Sequence, residues 1–332
     1  VRAFTCPDCR HLVLFESLEC LYSNTLLGFN WNRREIVALP QTRACANREE
    51  IGCNGVATDP DGLCFSCLLT RTRPTHADDG LVRFAKAELA KRRLVFELLE
   101  LGLPVESHLT RKGGLAFDML NSERADVVTG HDEGLITLDL AEADDAHREQ
   151  VRTAMGEPYR TLLGHMRHEI AHYYEPILCP EGSPARDHYR ELFGDERADY
   201  QQAMDRHYAS GAPASWPDNF VSAYATMHPY EDWAETFAHY LHIRDSLQTA
   251  ITYGVTVSGP AVFSTDEAPL SSYPAAAPDG IGGLLGAWLP LTYALNAMNR
   301  SMGADDIYPF VLPPPVIGKL GFIDELVSGQ PS

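Results

Sequence analysis

The stretch His165-Met-Arg-His-Glu-Ile-Ala-His-Tyr-Tyr-Glu175 contains the pattern H-E-x-x-H at positions 168 to 172. On a helix, His168 and His172 project from one face one turn apart, so both imidazoles reach a single ion. Glu169 stands next to the first ligand and reaches a water on that ion without binding the ion itself. Zinc lowers the pKa of such a water to near ~7, and the carboxylate takes its proton as it attacks a carbonyl. Three protein ligands are the rule for this chemistry, so a third must lie elsewhere.

Two acidic segments downstream offer one. In Phe193-Gly-Asp-Glu-Arg-Ala-Asp-Tyr200 the candidates are Asp195, Glu196 and Asp199. In Glu231-Asp-Trp-Ala-Glu-Thr-Phe-Ala238, Glu231 and Glu235 stand four apart on a segment whose helix start is signalled by His228-Pro-Tyr230. One carboxylate of this pair can bind the ion while the other, one turn on, accepts the N–H of a ligating histidine. His165, one turn before His168, is read as an outer group that supports the site. His239 and His242 are read as packing residues, His228 as a cap, and Cys179 as a lone loop cysteine.

Ahead of this region the apolar spacing predicts a helix over 81–102. The period then changes, and strands are expected at Leu115–Leu120, Val127–Thr129 and Leu135–Leu140, the last two joined by the turn Gly130–Gly134. From about residue 143 the chain reads as mostly helical, with a final helix near 316–328 after Pro313-Pro-Pro315. A small sheet followed by a metal-binding helix is the order in which a strand edge beside the metal could take an extended peptide as another strand.

Seven of the eight cysteines fall at positions 6, 9, 20, 45, 53, 64 and 67. Cys6-Pro-Asp-Cys9 and Cys64-Phe-Ser-Cys67 are C-x-x-C pairs, whose sulfurs can share one tetrahedral zinc at ~2.3 Å. Cys45, Cys53, Cys64 and Cys67 make a complete structural zinc site. Cys6, Cys9 and Cys20 make an incomplete second one. Ser23 stands where another cysteine is expected, and His11 is near enough in sequence to substitute. Pairing of Cys6 and Cys9 with Cys64 and Cys67 is the alternative partition. Residues 1–75 therefore read as a β-rich zinc ribbon, with a linker from Arg71 to Gly80 and a second domain over 80–332. Metal binding supplies most of the folding free energy of so small a ribbon.

Net charge is −19, yet residues 1–74 hold eight basic and eight acidic side chains, so the excess lies downstream. That balance speaks against nucleic acid as a partner. No secretory signal is visible at the start, and clustered cysteines then favour a reducing, cytoplasmic setting over disulfides. The most apolar stretch, Ile281 to Met298, carries Pro290 and Asn296 and is expected to be a buried helix too short to span a membrane.

The segment Glu231-Asp-Trp-Ala-Glu-Thr-Phe resembles the third-ligand helix of anthrax-lethal-factor-like gluzincins. That resemblance implies Glu231 as the third zinc ligand, Glu235 as its supporting neighbour, and Tyr224, seven residues before Glu231, as an oxyanion donor. More broadly the chain resembles the bacterial zinc-binding metallopeptidases that carry an N-terminal zinc ribbon. The matching segments are Gly114–Phe117, Thr129–His131, Glu142–Asp145, Tyr159–His165, Phe193–Arg197 and His228–Glu235. Cys20-Leu-Tyr-Ser23 departs from that family, which usually shows C-x-x-C there.

The expectation is thus an α+β chain: a zinc ribbon, then a mainly helical zincin-like metallopeptidase domain with a small sheet. It would hold one catalytic and one or two structural zinc ions and hydrolyse a peptide or protein substrate, with Glu169 as general base. The alternative is a catalytically inactive zincin-fold module that binds protein and docks through its ribbon.

Overall fold

Short apolar runs separated by polar turns give the N-terminal region its form: two small antiparallel hairpins. Strand β1 (Phe4–Thr5) pairs with β2 (Leu12–Val13), and β3 (Leu27–Asn30) with β4 (Glu35–Ala38). In this computed structural model the described residues are 1–39, 43–74, 80–122, 127, 129–144, 161–257 and 280–329. A short helix α1 (Arg48–Ile51) precedes Cys53, and a 3-10 turn at Cys67–Leu69 leads into β5 (Thr70–Thr72). Helix α2 (Leu81–Glu100) follows, then β6 (Ala116–Leu120), β7 (Gly130–Asp132) and β8 (Leu135–Asp139). The chain is α+β: a β-rich zinc-ribbon region, then a mostly helical part with a small sheet.

The sheet order is β5-β6-β8-β7, with β5, β6 and β8 parallel and β7 antiparallel to β8. Two expectations change here. The supposed linker begins inside the sheet, because Thr70-Arg-Thr72 is an edge strand; Arg71 Nε donates to Asp118 Oδ1 of β6 at 2.9 Å. Residues 75–79 lie outside the described residues. The strand placed at Val127–Thr129 lies instead at Gly130–Asp132, within the supposed turn, while Val128 is outside the described residues. Only Glu133 and Gly134 turn the chain, both with positive φ (43° and 91°), as a two-residue hairpin of this hand requires. Since β6 and β7 pair both sides of β8, the terminal strands of the described sheet are β5 and β7.

Packing divides the chain into Val1–Glu169 and Ile170–Ser332. The division falls inside helix α3 (Leu162–Leu178), which is continuous across it. In the first unit the core is aromatic. Phe15 meets Phe29 at 4.8 Å and Phe96 of α2 at 5.1 Å, while Phe4 meets Phe96 at 6.0 Å. Helix α2 also buries Glu88 and Lys91, paired at 2.7 Å.

The second unit contains α4 (Pro184–Phe193), α5 (Tyr200–Ser210), α6 (Pro229–Thr252), α7 (Gly280–Ser301) and α8 (Pro314–Ser328). Helix α6 is its centre, touching α4, α7 and α8. Helix α7 is longer than expected. At 22 residues it has the length and apolarity to cross a membrane, and 39% of its most apolar window is buried. Leu284, Leu285, Trp288 and Leu291 form its buried face.

Gly55 shows how tightly the ribbon closes. A Cβ there would lie 2.4 Å from Cys64 Sγ. Gly55→Ala should therefore cost about 1–3 kcal/mol by overpacking and lower the zinc content per chain, which thermal melts and metal analysis would check. Unchanged values for both would contradict the close approach.

Candidate metal centre

Helix α3 is held in rotation by the residue between two of its histidines. Arg167 is buried and donates from Nε and Nη2 to Glu97 Oε2 of α2 at 3.0 and 2.9 Å. With Arg167 turned to α2, His168 and His172 are carried on another face. Ala171 O accepts from Trp233 Nε1 of α6 at 2.9 Å. The tryptophan of Glu231-Asp-Trp-Ala-Glu thus fixes α6 against α3.

The start of α6 is well made. Pro229 fills the first helical position, where its missing N–H costs nothing. His228 caps the end: its Nδ1 accepts from Tyr230 N at 3.1 Å and its Nε2 donates to Ala198 O at 3.0 Å. Glu231 and Asp232 therefore lie in the first turn, where the helix dipole favours a buried negative charge.

Glu231 Oε2 is 3.7 Å from His172 Nε2, a spacing suited to two ligands of one ion with ~2.0–2.2 Å bonds. His168, His172 and Glu231 each present a ligand atom within 4.8 Å of the others. Two imidazoles and a carboxylate are a zinc donor set, so the residues present fit that ion.

Tyrosines surround the group. Tyr200 OH donates to Glu231 Oε1 at 2.9 Å, and Tyr230 stacks on His172 at 4.0 Å. Nothing in the sequence marks either residue, and the segment 193–200 stands out only for its carboxylates. Tyr200 closes that quoted segment, and Tyr230 sits inside the cap signal. Tyr224 is half-buried in a 3-10 turn (Tyr224–Thr226), and burial, then nearby Glu231 and Tyr200, push its phenol well above the usual range. It stays protonated and can donate. Glu235 accepts from Ser222 Oγ at 2.6 Å.

Glu169 is buried, and its Oε1 is 3.1 Å from His165 Nε2. His165 Nδ1 bonds Glu142, which follows β8 in a 3-10 turn (Leu140–Ala143). Burial alone would lower the His165 pKa, but the two carboxylates prevail and raise it to about 9. The ring is thus a cation joining Glu142 to Glu169, and Thr129 Oγ1 donates to Glu142 at 3.2 Å.

The other candidates serve the fold. Asp195 pairs with Arg197, Glu196 with Arg190, and Asp199 caps α5 by accepting from Gln202 N. His239 Nδ1 lies 2.7 Å from Tyr308 OH, and burial lowers its pKa to about 4; His242 stacks on the same tyrosine. Cys179 is buried, which pushes its thiol up to about 12, unsuited to nucleophilic work. Asp145, Tyr159 and Arg160 lie outside the described residues.

Within the ribbon, Cys45, Cys53, Cys64 and Cys67 are all buried and clustered, with Cys53 Sγ 3.7 Å from Cys64 Sγ and 3.6 Å from Cys67 Sγ. Cys6, Cys9 and Cys20 form a separate group that does not include His11. The partition of Cys6 and Cys9 with Cys64 and Cys67 is therefore not the one adopted.

A ribbon with clustered cysteines, followed by a histidine pair and a carboxylate, presents two kinds of donor set that suit zinc. The chain belongs to the family described as "Putative zinc-binding metallo-peptidase", which matches residues 80–326. A zinc-ribbon domain matches residues 3–78. The chain is 49% identical to the uncharacterized proteins Rv2568c of Mycobacterium tuberculosis and Mb2598c of Mycobacterium bovis, over 99% of this chain and 96% of each relative. No solved structure matches it.

Behind the centre, burial raises the Asp232 pKa to about 6 even though Lys319 Nζ of α8 lies 2.6 Å away. Asp232 is therefore charged above about pH 6 and takes up a proton below it. Lys319→Met should cost about 3–5 kcal/mol at pH 8, where a buried charge loses its partner, and less near pH 5. Melts at the two pH values test this. Equal losses would show that the pair does not work through charge.

Proposed function

We propose that this protein is a zinc-dependent peptidase of the gluzincin type, its catalytic ion held by His168, His172 and Glu231. The supporting observation is the grouping of three ligand atoms within 4.8 Å, contributed by two helices whose contact is set by Trp233. Membership of a zinc-binding metallopeptidase family and the resemblance of the Glu231–Phe237 segment to lethal-factor-like enzymes point the same way.

Bound there, zinc supplies a Lewis acid that polarises a carbonyl and makes water nucleophilic near neutral pH. The chain's own groups do the rest. Glu169 is the base: Oε1 is held by the His165 cation, and Oε2 takes the proton of the attacking water and returns it to the leaving amine. His165 and Glu142 orient that carboxylate. Tyr224, kept protonated, donates to the oxygen that gains charge as the carbonyl is attacked. Tyr200 holds one oxygen of Glu231, leaving Oε2 directed toward His172. The substrate is a peptide or protein segment.

Glu169→Gln should keep the full zinc content and lower peptide hydrolysis by about 10²–10⁴-fold. Turnover at the wild-type rate would remove the mechanism. Tyr200→Phe should weaken the ion at this centre about 10-fold, since it releases the carboxylate that closes the site. Metal titration of the two proteins compares them, and equal affinity would mean that the hydroxyl does not orient Glu231.

A further inference from the structure

The ribbon contains two turns of the same construction, and only one of them is a C-x-x-C. In the first, Cys6 N donates to His11 O at 2.8 Å, Arg10 N donates to Cys6 O at 3.0 Å, and Arg10 has φ 64°. In the second, Cys20 N donates to Thr25 O at 3.0 Å, Asn24 N donates to Cys20 O at 2.8 Å, and Asn24 has φ 55°. The bonds and the left-handed residue recur at the same offsets. Position 23 in the second turn therefore corresponds to position 9 in the first, and Ser23 stands where Cys9 has its counterpart.

The hydroxyl is placed as that correspondence demands. Ser23 Oγ lies 3.5 Å from Cys6 Sγ, the same separation as Cys9 Sγ from Cys20 Sγ. Two ligands of one tetrahedral zinc, with bonds of ~2.0–2.3 Å, stand at about this separation.

Its proton is already committed. Thr25 Oγ1 donates its single hydrogen to Asp8 Oδ2 at 3.1 Å. The 2.8 Å contact between Ser23 Oγ and Thr25 Oγ1 must then run from Ser23 to Thr25. With that hydrogen turned outward, the lone pairs of Ser23 face the sulfurs. Cys6 is left to donate its S–H to Ser23, and a metal ion takes the place of that proton. His11 is differently held: it stacks on Tyr22 at 3.8 Å, and its Nδ1 addresses Cys9 Sγ alone, at 3.4 Å.

We propose that the first ribbon site is a zinc site of three thiolates and one hydroxyl, Cys6, Cys9, Cys20 and Ser23, and that it exchanges its ion more readily than the four-cysteine site. The serine oxygen is a neutral, hard donor in a soft set, so it holds zinc less firmly than a fourth thiolate. Cys9 is partly exposed, whereas all four sulfurs of the other site are buried. His11 acts on Cys9 from outside the ligand set. The ribbon thus pairs a tight site beside α2 with a labile one that is partly exposed at Cys9. This inference is independent of peptidase activity.

The test counts zinc in the full-length, zinc-loaded protein and follows its release to a chromogenic chelator. Ser23→Ala should hold one ion fewer than the wild type, or bind it about 10–100-fold more weakly, at least the loss that outer partners of a metal cause. Ser23→Cys should keep the wild-type count and slow the fastest release phase about tenfold or more. His11→Ala should leave the count unchanged. Because each result is a difference from the wild type, the ion at residues 168, 172 and 231 cancels. Should Ser23→Ala fail to fold, cobalt loading decides: sulfur-to-metal absorption should rise from wild type to Ser23→Cys by the share of one thiolate. Unchanged count and release in Ser23→Ala, loss of the ion in His11→Ala, or identical cobalt spectra would each overturn the assignment.

Discussion

The centre depends on the buried ion pair between Arg167 and Glu97. Two opposite charges taken out of water repay their desolvation only with good geometry, and here Nε and Nη2 both reach one carboxylate oxygen. Such a pair adds little stability over an apolar contact, but it tolerates no other orientation, because a turned helix would leave both charges buried and alone. It therefore selects the face on which His168 and His172 are presented. The same α2 that supplies Glu97 buries Phe96 among the ribbon's aromatics, so the orientation of α3 begins in the ribbon's own core.

Around the centre, charge is handled in layers. Glu231 is buried but accepts from Tyr200 and sits at a helix start. Asp232, next to it, faces the other way toward Lys319. Glu169 meets the His165 cation, which meets Glu142. Each buried carboxylate has its own source of positive charge or hydrogen bonding, so closely spaced acids coexist without all taking up protons.

Much of this was legible in the sequence because it depends on spacing along one element. The helical offset of His168 and His172, the cap signal before Glu231, and the C-x-x-C pairs are local patterns. Sequence order favoured grouping Cys45 and Cys53 with Cys64 and Cys67 but left a second partition open, which the clustering of the sulfurs decides. What was missed requires distant segments to meet. Tyr200 reaches Glu231 from 31 positions away, and Trp233 bonds Ala171 from 62. Neither side chain is distinguishable beforehand from an ordinary core or surface aromatic. The shifted β7 has a different cause: Gly130–Gly134 holds five turn-forming residues, yet two with positive φ suffice to turn the chain. Thr70–Thr72 carries no strand signal of its own, because a proline and several charges follow it closely.

Helix α2 has one further consequence. It buries Phe96 against Phe4, Phe15 and Phe29, places Glu88 Oε2 3.9 Å from Cys67 Sγ, and accepts Arg34 at Leu99 O, all on the ribbon side. The strand that leaves the last cysteine turn is stitched directly into the sheet beyond. The seam between the two family matches, near residue 79, is thus crossed by both aromatic packing and strand pairing. A ribbon grafted from elsewhere would have to bring a matching aromatic face with it.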